Sequence, residues 1–95
     1  MSPRQKRRRR VEALWRKRLQ EACNLLNKDP FWKSAYMADY GTALQVFFKA
    51  GVKPGYFGLC MPLKAARKQT AAQLVFRMRR KADEVLIRQL MKLIR

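Results

Sequence analysis

Apolar side chains recur at helical intervals along the first 28 residues of the chain. Five of them lie three or four positions apart: Val11, Trp15, Leu19, Ala22 and Leu26. This spacing places them on one face of an amphipathic helix. Pro3 suits the start of that helix, and the Asp29–Pro30 pair suits its end. The pattern therefore predicts a first helix within residues 1–28.

A second apolar row follows directly, at Trp32, Tyr36, Tyr40, Leu44 and Phe47. Asp29 is a suitable N-cap, and Pro30 then occupies the first helical position, where its missing N–H costs nothing. We therefore predict a second helix from about Pro30 to Ala50, with Gly51 as the left-handed residue after its end. Gly41 would lie inside this helix and would cost about 1 kcal/mol relative to alanine.

Residues 51–62 carry three glycines and two prolines. We predict a structured loop there, because its aromatic and aliphatic side chains need burial. A short strand is the alternative, but a lone strand would have no partner in a chain that is otherwise helical. The second cysteine, Cys60, lies in this segment between Leu59 and Met61.

Helical spacing resumes at Leu63. Thr70 is a suitable N-cap that separates a short helical piece, ending at Gln69, from a long helix over Ala71 to Ile94. The apolar arc of the long helix exceeds half of its circumference, whereas a surface helix normally has a narrower apolar face. This predicts burial on two sides, either at the centre of a bundle or against a second copy of the chain.

Together these elements predict an all-α fold, a compact bundle of three to four helices. The bundle would have a basic N-terminal arm or helix and a Gly/Pro-rich loop before the C-terminal helices. Residues 1–10 form the arginine-rich arm in this prediction, and residues 11–95 form a single helical domain. A homodimer through the helix 71–94 is part of the same expectation.

The distribution of charge along the chain indicates what kind of partner the protein binds. The 95 residues include 23 Lys and Arg against 6 Asp and Glu, giving a formal net charge of +17. Residues 1–28 and 63–95 each carry an excess of about eight positive charges, and the middle of the chain is nearly neutral and rich in aromatic residues. Two cationic segments around a folded centre favour a polyanionic partner, and nucleic acid is the first candidate.

Composition also excludes several functions. The chain has no histidine and only two cysteines, Cys23 and Cys60. This argues against a structural zinc site and excludes histidine-based acid–base or nucleophilic catalysis. We expect no enzyme activity, no metal and no cofactor. No apolar run approaches the length of a membrane span, which is about 20 residues. Two reduced thiols would fit an intracellular protein of the cytoplasm or nucleoid, or of the nucleus in a eukaryotic or viral setting.

Two clusters of basic residues are the predicted nucleic-acid contacts. Arginine suits this role because its planar guanidinium donates paired hydrogen bonds to phosphate and stacks on bases. The predicted contacts are Arg4, Lys6, Arg7, Arg8, Arg9, Arg10, Arg16, Lys17, Arg18, Lys64, Arg67, Lys68, Arg77, Arg80 and Lys81. Three aromatic residues are candidates for stacking on bases: Trp15, Tyr56 and Phe57.

The arginine block Arg7 to Arg10, followed by Trp15, resembles the arginine-rich RNA-binding helices of lambdoid phage antiterminators and lentiviral RNA-export regulators. The resemblance covers about a sixth of the chain and implies an RNA-binding helix whose tryptophan stacks on a hairpin loop. We therefore predict a small regulatory or assembly factor that binds nucleic acid, with RNA favoured over DNA. Two alternatives stay open: a structural subunit of a ribonucleoprotein, and an adaptor or inhibitor that docks an acidic protein.

Overall fold

Two long helices and a three-stranded sheet make up the protein in the computed structural model, which describes residues 2–50 and 55–94. The elements in chain order are α1 (Pro3–Lys28), β1 (Trp32–Ala38), β2 (Ala43–Phe48), β3 (Phe57–Pro62) and α2 (Ala71–Ile94). A short 3-10 helix, Leu63–Arg67, connects β3 to α2. The sheet is an antiparallel meander with the order β1-β2-β3. The fold is therefore α+β, and the prediction of an all-α bundle of three to four helices is wrong.

The first helix follows its sequence signals. The Ser2 hydroxyl accepts a hydrogen bond from the Gln5 backbone N–H (3.3 Å), and the Gln5 side chain accepts one from the Ser2 backbone N–H (3.1 Å). This capping box satisfies orphan donors at the helix start, where Pro3 occupies the first turn. Asp29 is the C-cap of α1, and its carboxylate accepts from the Phe31 N–H (2.9 Å). It is therefore not the N-cap of a second helix.

Residues 32–48 form the hairpin of β1 and β2, so the helix predicted from Pro30 to Ala50 is wrong. The turn between the strands needs a left-handed backbone, with φ of 51° at Asp39, 58° at Tyr40 and 83° at Gly41. Glycine adopts this conformation without steric cost. Gly41, which would destabilise a helix, therefore suits this turn. The Thr42 hydroxyl donates to the Asp39 carbonyl oxygen (2.6 Å) and closes the turn.

The loop predicted over 51–62 is also wrong for its second half, because Phe57–Pro62 is a strand. It pairs antiparallel with β2 from Phe48↔Phe57 to Ala43↔Pro62. Its partner strand, β2, lies in the segment for which the sequence predicts a helix. The predicted role of Gly51 lies outside the described residues.

The second helix agrees with its signals. The Thr70 hydroxyl accepts from the Gln73 N–H (3.2 Å), and the Gln73 side chain accepts from the Thr70 N–H (2.8 Å). Thr70 thus caps α2 as its residue type predicts. The piece between β3 and α2 is a 3-10 helix that is shorter than the predicted segment ending at Gln69.

Both helices pack on one face of the sheet, and their buried side chains join alternate strand residues in one core. Each strand and helix supplies part of it. The largest fully buried side chains are Phe48, Leu19, Leu26, Leu44, Met61, Leu74, Met78 and Val46. The core ends at about Ala82, so the last three turns of α2 are mostly exposed. In the part of the chain that the structure describes, neither helix is long and apolar enough to cross a bilayer.

Candidate nucleic-acid interface

A groove lies between the N-terminal half of α1 and the 3-10 helix Leu63–Arg67. Cationic side chains line both of its sides: Arg4, Arg7 and Arg8 from α1, with Lys64 and Arg67 from the 3-10 helix. Val11, Trp15 and Leu63 supply apolar surface between them, and Glu12, which is paired with Arg8, is the one acidic residue of the lining. We call this the basic groove. It brings together residues from the two cationic segments of the sequence, which lie more than fifty positions apart.

The basic groove owes its position to the way α1 extends past the core. The buried residues of α1 begin at Leu19, so the turns before Trp15 project from the folded body with their arginines exposed. Arg18 holds the opposite side in place. Its Nη1 donates to the carbonyl oxygens of Ala66 (2.9 Å) and Arg67 (3.4 Å), at the end of the 3-10 helix. These contacts fix the segment that carries Lys64 against α1.

A second basic surface lies on α2. Lys68, Arg77, Arg80 and Lys81 share it with Phe76, and Glu84 is its one acidic residue. Arg67 and Lys68 are neighbours in the chain, and each lines one of the two surfaces. The two basic surfaces therefore meet at the end of the 3-10 helix.

Few of the cationic groups are neutralised within the part of the chain that the structure describes. Two ion pairs occur there, Arg8–Glu12 and Arg79–Asp83, each with 3.2 Å between nitrogen and oxygen and each within one helix. Exposed pairs of this kind contribute little to stability. Arg79 also places its guanidinium 3.6 Å from the ring centre of Phe31, so it is engaged with the protein itself. The basic surfaces are left with a strong positive potential.

The remaining predicted contacts divide by location. Lys6, Arg9, Arg10, Arg16 and Lys17 are exposed on α1 outside the lining of the basic groove. Arg18 is partly buried by its contacts with the 3-10 helix. The structure thus assembles part of the predicted set in the basic groove and part on α2, and spreads the others along α1.

The three aromatic candidates for base stacking have different environments. Trp15 is partly buried against the core and forms part of the groove floor. Tyr56 is half exposed, at 52% of its surface, in front of β3. Phe57 packs on the core, with its ring stacked on Phe48 at 6.0 Å between ring centres. Phe57 therefore serves the fold, and Tyr56 is the most accessible of the three.

Sequence reasoning missed a further aromatic pair on the sheet face that points away from the helices. The rings of Tyr36 and Phe47 lie 6.2 Å apart there, with an angle of 25° between their planes. The available signal was the strict alternation in 57–62, where Phe57, Leu59 and Met61 face the core. A strand over residues 57–62 requires neighbouring strands to pair with. If residues 32–48 form those strands, the aromatic side chains of that segment divide between the two faces of a sheet.

The two cysteines have different surroundings. Burial raises the pKa of the Cys23 thiol, which keeps it protonated and unreactive near neutral pH. Cys60 is exposed, and neither cysteine is in a disulfide. Among residues 2–50 and 55–94, no three cysteine or acidic side chains lie close enough together to hold a metal ion.

No protein-family model, curated protein or solved structure matches this chain.

Proposed function

We propose that this protein binds nucleic acid through the phosphate backbone, with RNA favoured over DNA, as a small regulatory or assembly factor. The observation that supports this most is the basic groove, where α1 and the 3-10 helix present five cationic side chains to one channel. Glu12 pairs with Arg8, and the other four cationic side chains form no ion pair among the described residues, so their mutual repulsion favours a bound anion between them. The role is one of binding, without a catalytic step, and we place it inside the cell.

The lining of the basic groove suits a nucleic-acid strand. Arginine and lysine on the two sides bind phosphate oxygens, and arginine does so with paired hydrogen bonds. The apolar floor of Val11, Trp15 and Leu63 suits the less polar sugar and base surfaces. Arg4, Arg7 and Arg8 lie on one side of α1, a helix of about 10–12 Å diameter, so their charges form a row along it.

Recognition by backbone and shape favours RNA in this proposal. Arginine can read guanine in the major groove of DNA, but reading adenine requires an Asn or Gln side chain that is free to form paired hydrogen bonds. The one glutamine of the arginine-rich segment, Gln5, is engaged in the capping box with Ser2. Arginine-rich helices recognise structured RNA by shape and phosphate contacts.

The test is a salt series of binding assays with hairpin RNA, duplex DNA and single-stranded RNA. The groove variant is Arg7→Gln/Lys64→Gln/Arg67→Gln. Each lost phosphate contact lowers the slope of log K against log salt by about 0.9 for duplex DNA and about 0.7 for a single strand. We therefore expect the groove variant to flatten the slope by about two units and to weaken binding at low salt at least tenfold.

The matched control removes three charges from exposed positions outside both basic surfaces, as Lys28→Gln/Arg88→Gln/Lys92→Gln. It should retain most of the affinity and slope. An equal loss in both variants would contradict a defined groove. Failure to bind any of the three nucleic acids, with nuclease-resistant binding to an acidic protein, would favour the adaptor alternative. Insolubility of the chain without RNA would favour a ribonucleoprotein subunit.

We also propose that α2 mediates self-association. Beyond the core, Ile87, Leu90, Met91 and Ile94 are each more than half exposed. Their spacing of three, one and three residues forms a single row on the helix, which is the pattern that packs one helix against another. A second copy of the chain carries the same row and can cover it in a two-fold arrangement.

A further inference from the structure

One face of the sheet is left uncovered by the helices. The register of the strands places six residues at the centre of this face: Ser34, Tyr36, Gln45, Phe47, Gly58 and Cys60. We call this the open face. It carries no carboxylate among its described residues, and three of the six are exposed, including Tyr36 at 47% of its surface. An aromatic surface without carboxylates suits a partner that has flat groups and does not repel an anion.

The aromatic pair at the centre of the open face is built by the strand register. Tyr36 pairs with Gln45 and Ser34 pairs with Phe47, so the two rings are diagonal neighbours across β1 and β2. A bulge between Trp32 and Ser34 shifts the alternation of β1. As a result Trp32 points into the core and Tyr36, four residues later, lies on the opposite face.

Because Gly58 has no side chain, it leaves room for the ring of Phe47. Gly58 lies opposite Phe47 on β3, and a Cβ atom there would be 3.0 Å from Cε1 of Phe47 and 3.0 Å from Nε2 of Gln45. Such distances are shorter than ordinary carbon contacts. Without a side chain at residue 58, the Phe47 ring can lie over β3 next to the sheet. The result is a low aromatic platform with the polar groups of Ser34 and Gln45 beside it.

A cationic group lies next to a further exposed ring, Tyr56, which precedes the strand that carries Gly58. Lys33, in the bulge of β1, places its Nζ 5.7 Å from the ring centre of Tyr56, which precedes β3. The ammonium group therefore reaches across the sheet and lies beside a half-exposed ring. Flat rings with a nearby cation match the two parts of a nucleotide, its base and its phosphate.

We propose that the open face binds unpaired bases of single-stranded nucleic acid by stacking on Tyr36 and Phe47, with Lys33 on a phosphate. The proposal rests on the proposed nucleic-acid binding and specifies the ligand as single-stranded. Stacking on aromatic rings tolerates any base. Ser34 and Gln45 lie opposite Phe47 and Tyr36 in the strand register; the Gln45 amide nitrogen donates to the Val46 carbonyl oxygen (3.3 Å), which leaves the Ser34 hydroxyl and the Gln45 side-chain oxygen for hydrogen bonds to a base. An apolar protein surface would bury the rings equally well, but it offers no partner for Lys33.

The open face and the basic groove are joined through β3. Pro62 pairs with Ala43 at the end of the sheet, and the next two residues, Leu63 and Lys64, line the basic groove. A strand held in the groove by its phosphates can therefore continue past the end of β3 onto the platform. One ligand would use both surfaces.

The test compares a 12-nucleotide poly-uridine strand with an RNA duplex of the same length. The variant Tyr36→Leu/Phe47→Leu keeps apolar side chains but removes the flat rings. Loss of aromatic stacking is worth about five- to a hundredfold per base. We therefore expect at least a twentyfold loss of affinity for the single strand and less than a twofold change for the duplex. The matched control is Tyr40→Leu, because Tyr40 is fully exposed in the turn and outside the platform.

A second variant guards against loss of folding. Gly58→Ala should displace the Phe47 ring while leaving the helices unchanged by circular dichroism, and should weaken single-strand binding in the same direction. Unchanged binding of the single strand by both variants would overturn the proposal. So would equal losses for the single strand and the duplex.

The two proposals fail in different ways. If the platform fails, binding remains and the groove variant still flattens the salt slope. If nucleic-acid binding itself fails, neither probe binds the wild-type protein at low salt. Binding of the wild-type chain to an apolar protein surface that the Tyr36→Leu/Phe47→Leu variant abolishes, with no effect on RNA, would assign the open face to a protein partner instead.

Discussion

Arg18 is an arginine whose hydrogen bonds go to its own chain. Its guanidinium reaches from α1 to the carbonyl oxygens of Ala66 and Arg67, where the 3-10 helix ends without a following turn of helix. Unpaired carbonyl groups at a helix end carry a partial negative charge that a nearby cation stabilises. Arg18 thus binds two elements together, although its residue type alone placed it among the nucleic-acid contacts.

Arg18→Met should destabilise the fold. Methionine retains much of the apolar length of arginine but cannot donate the charged hydrogen bond, which contributes about 1.5 kcal/mol when partly buried. We expect the free energy of unfolding in urea to fall by about that amount.

The matched control for Arg18 is Arg16→Met, which removes an exposed arginine from the same helix and should change the free energy of unfolding by less than about 0.5 kcal/mol. Equal stabilities for the two variants would contradict the structural role of Arg18.

At the scale of elements, Asn27 connects α1 to the edge of the sheet. Its side-chain amide donates to the Ala35 carbonyl oxygen (2.9 Å), and its side-chain oxygen accepts from the Ala35 N–H (3.0 Å). These are the two bonds that a neighbouring strand would make with Ala35. Because β1 is an edge strand, the contact removes one point at which another chain could add to the sheet.

The limits of sequence prediction lie in the segment between Trp32 and Phe48. Positions four apart satisfy a helical period and also a strand period of two, so the row of Trp32, Tyr36, Tyr40 and Leu44 did not decide between them. The many aromatic residues favour strands. The steps of the α1 row are four, four, three and four, and Phe47 adds a step of three to the row of the aromatic segment, so spacing alone does not separate the two segments. Both α1 and α2 were nevertheless predicted close to their observed bounds.

The exposed row on α2 gives a test of self-association. We expect Ile87→Gln/Met91→Gln to convert a wild-type dimer into a monomer in sedimentation equilibrium at tens of micromolar protein. The expected physical reason is that both side chains lie outside the core, so their replacement removes apolar contact area between copies and leaves the fold of each copy unchanged.

Leu14→Gln is the control for the α2 row, because Leu14 is exposed to a similar degree on α1. It should leave the dimer intact. A wild-type protein that sediments as a monomer at the highest concentration reached would rule out the association.

For the whole molecule, the distribution of charge could be predicted from the sequence, whereas the groove could not. Counting residues is sufficient to find two cationic segments. Their meeting place depends on the 3-10 helix turning back against α1 after β3, and β3 itself was missed. The aromatic platform was missed for the same reason, because the faces of Tyr36 and Phe47 exist only once the strands are paired.

Salt should affect folding and binding in opposite directions. A net charge of +17 with two weak ion pairs in the described residues leaves repulsion dominant, and ions screen it. We expect the melting temperature of nuclease-treated protein to rise by about 4 °C between 20 and 300 mM sodium chloride, which corresponds to about 1 kcal/mol in a domain of this size.

The control for this salt effect is sucrose over the same range of concentrations. Sucrose adds no ionic strength, so it should change the melting temperature much less. A melting temperature that falls with sodium chloride would show that attraction between charges holds the fold together.

The molecule is elongated, with principal extents of 58 × 23 × 21 Å. Successive nucleotides of one strand of B-form DNA, the duplex DNA of the binding assay, advance by about 3.4 Å, so the long axis spans about 17 of them, or a little over one and a half helical turns. A straight body of that length meets the same groove of a duplex again after about 34 Å. A single chain can therefore touch two turns of a duplex from one side, and any longer protected region would have to be shared by several chains laid end to end.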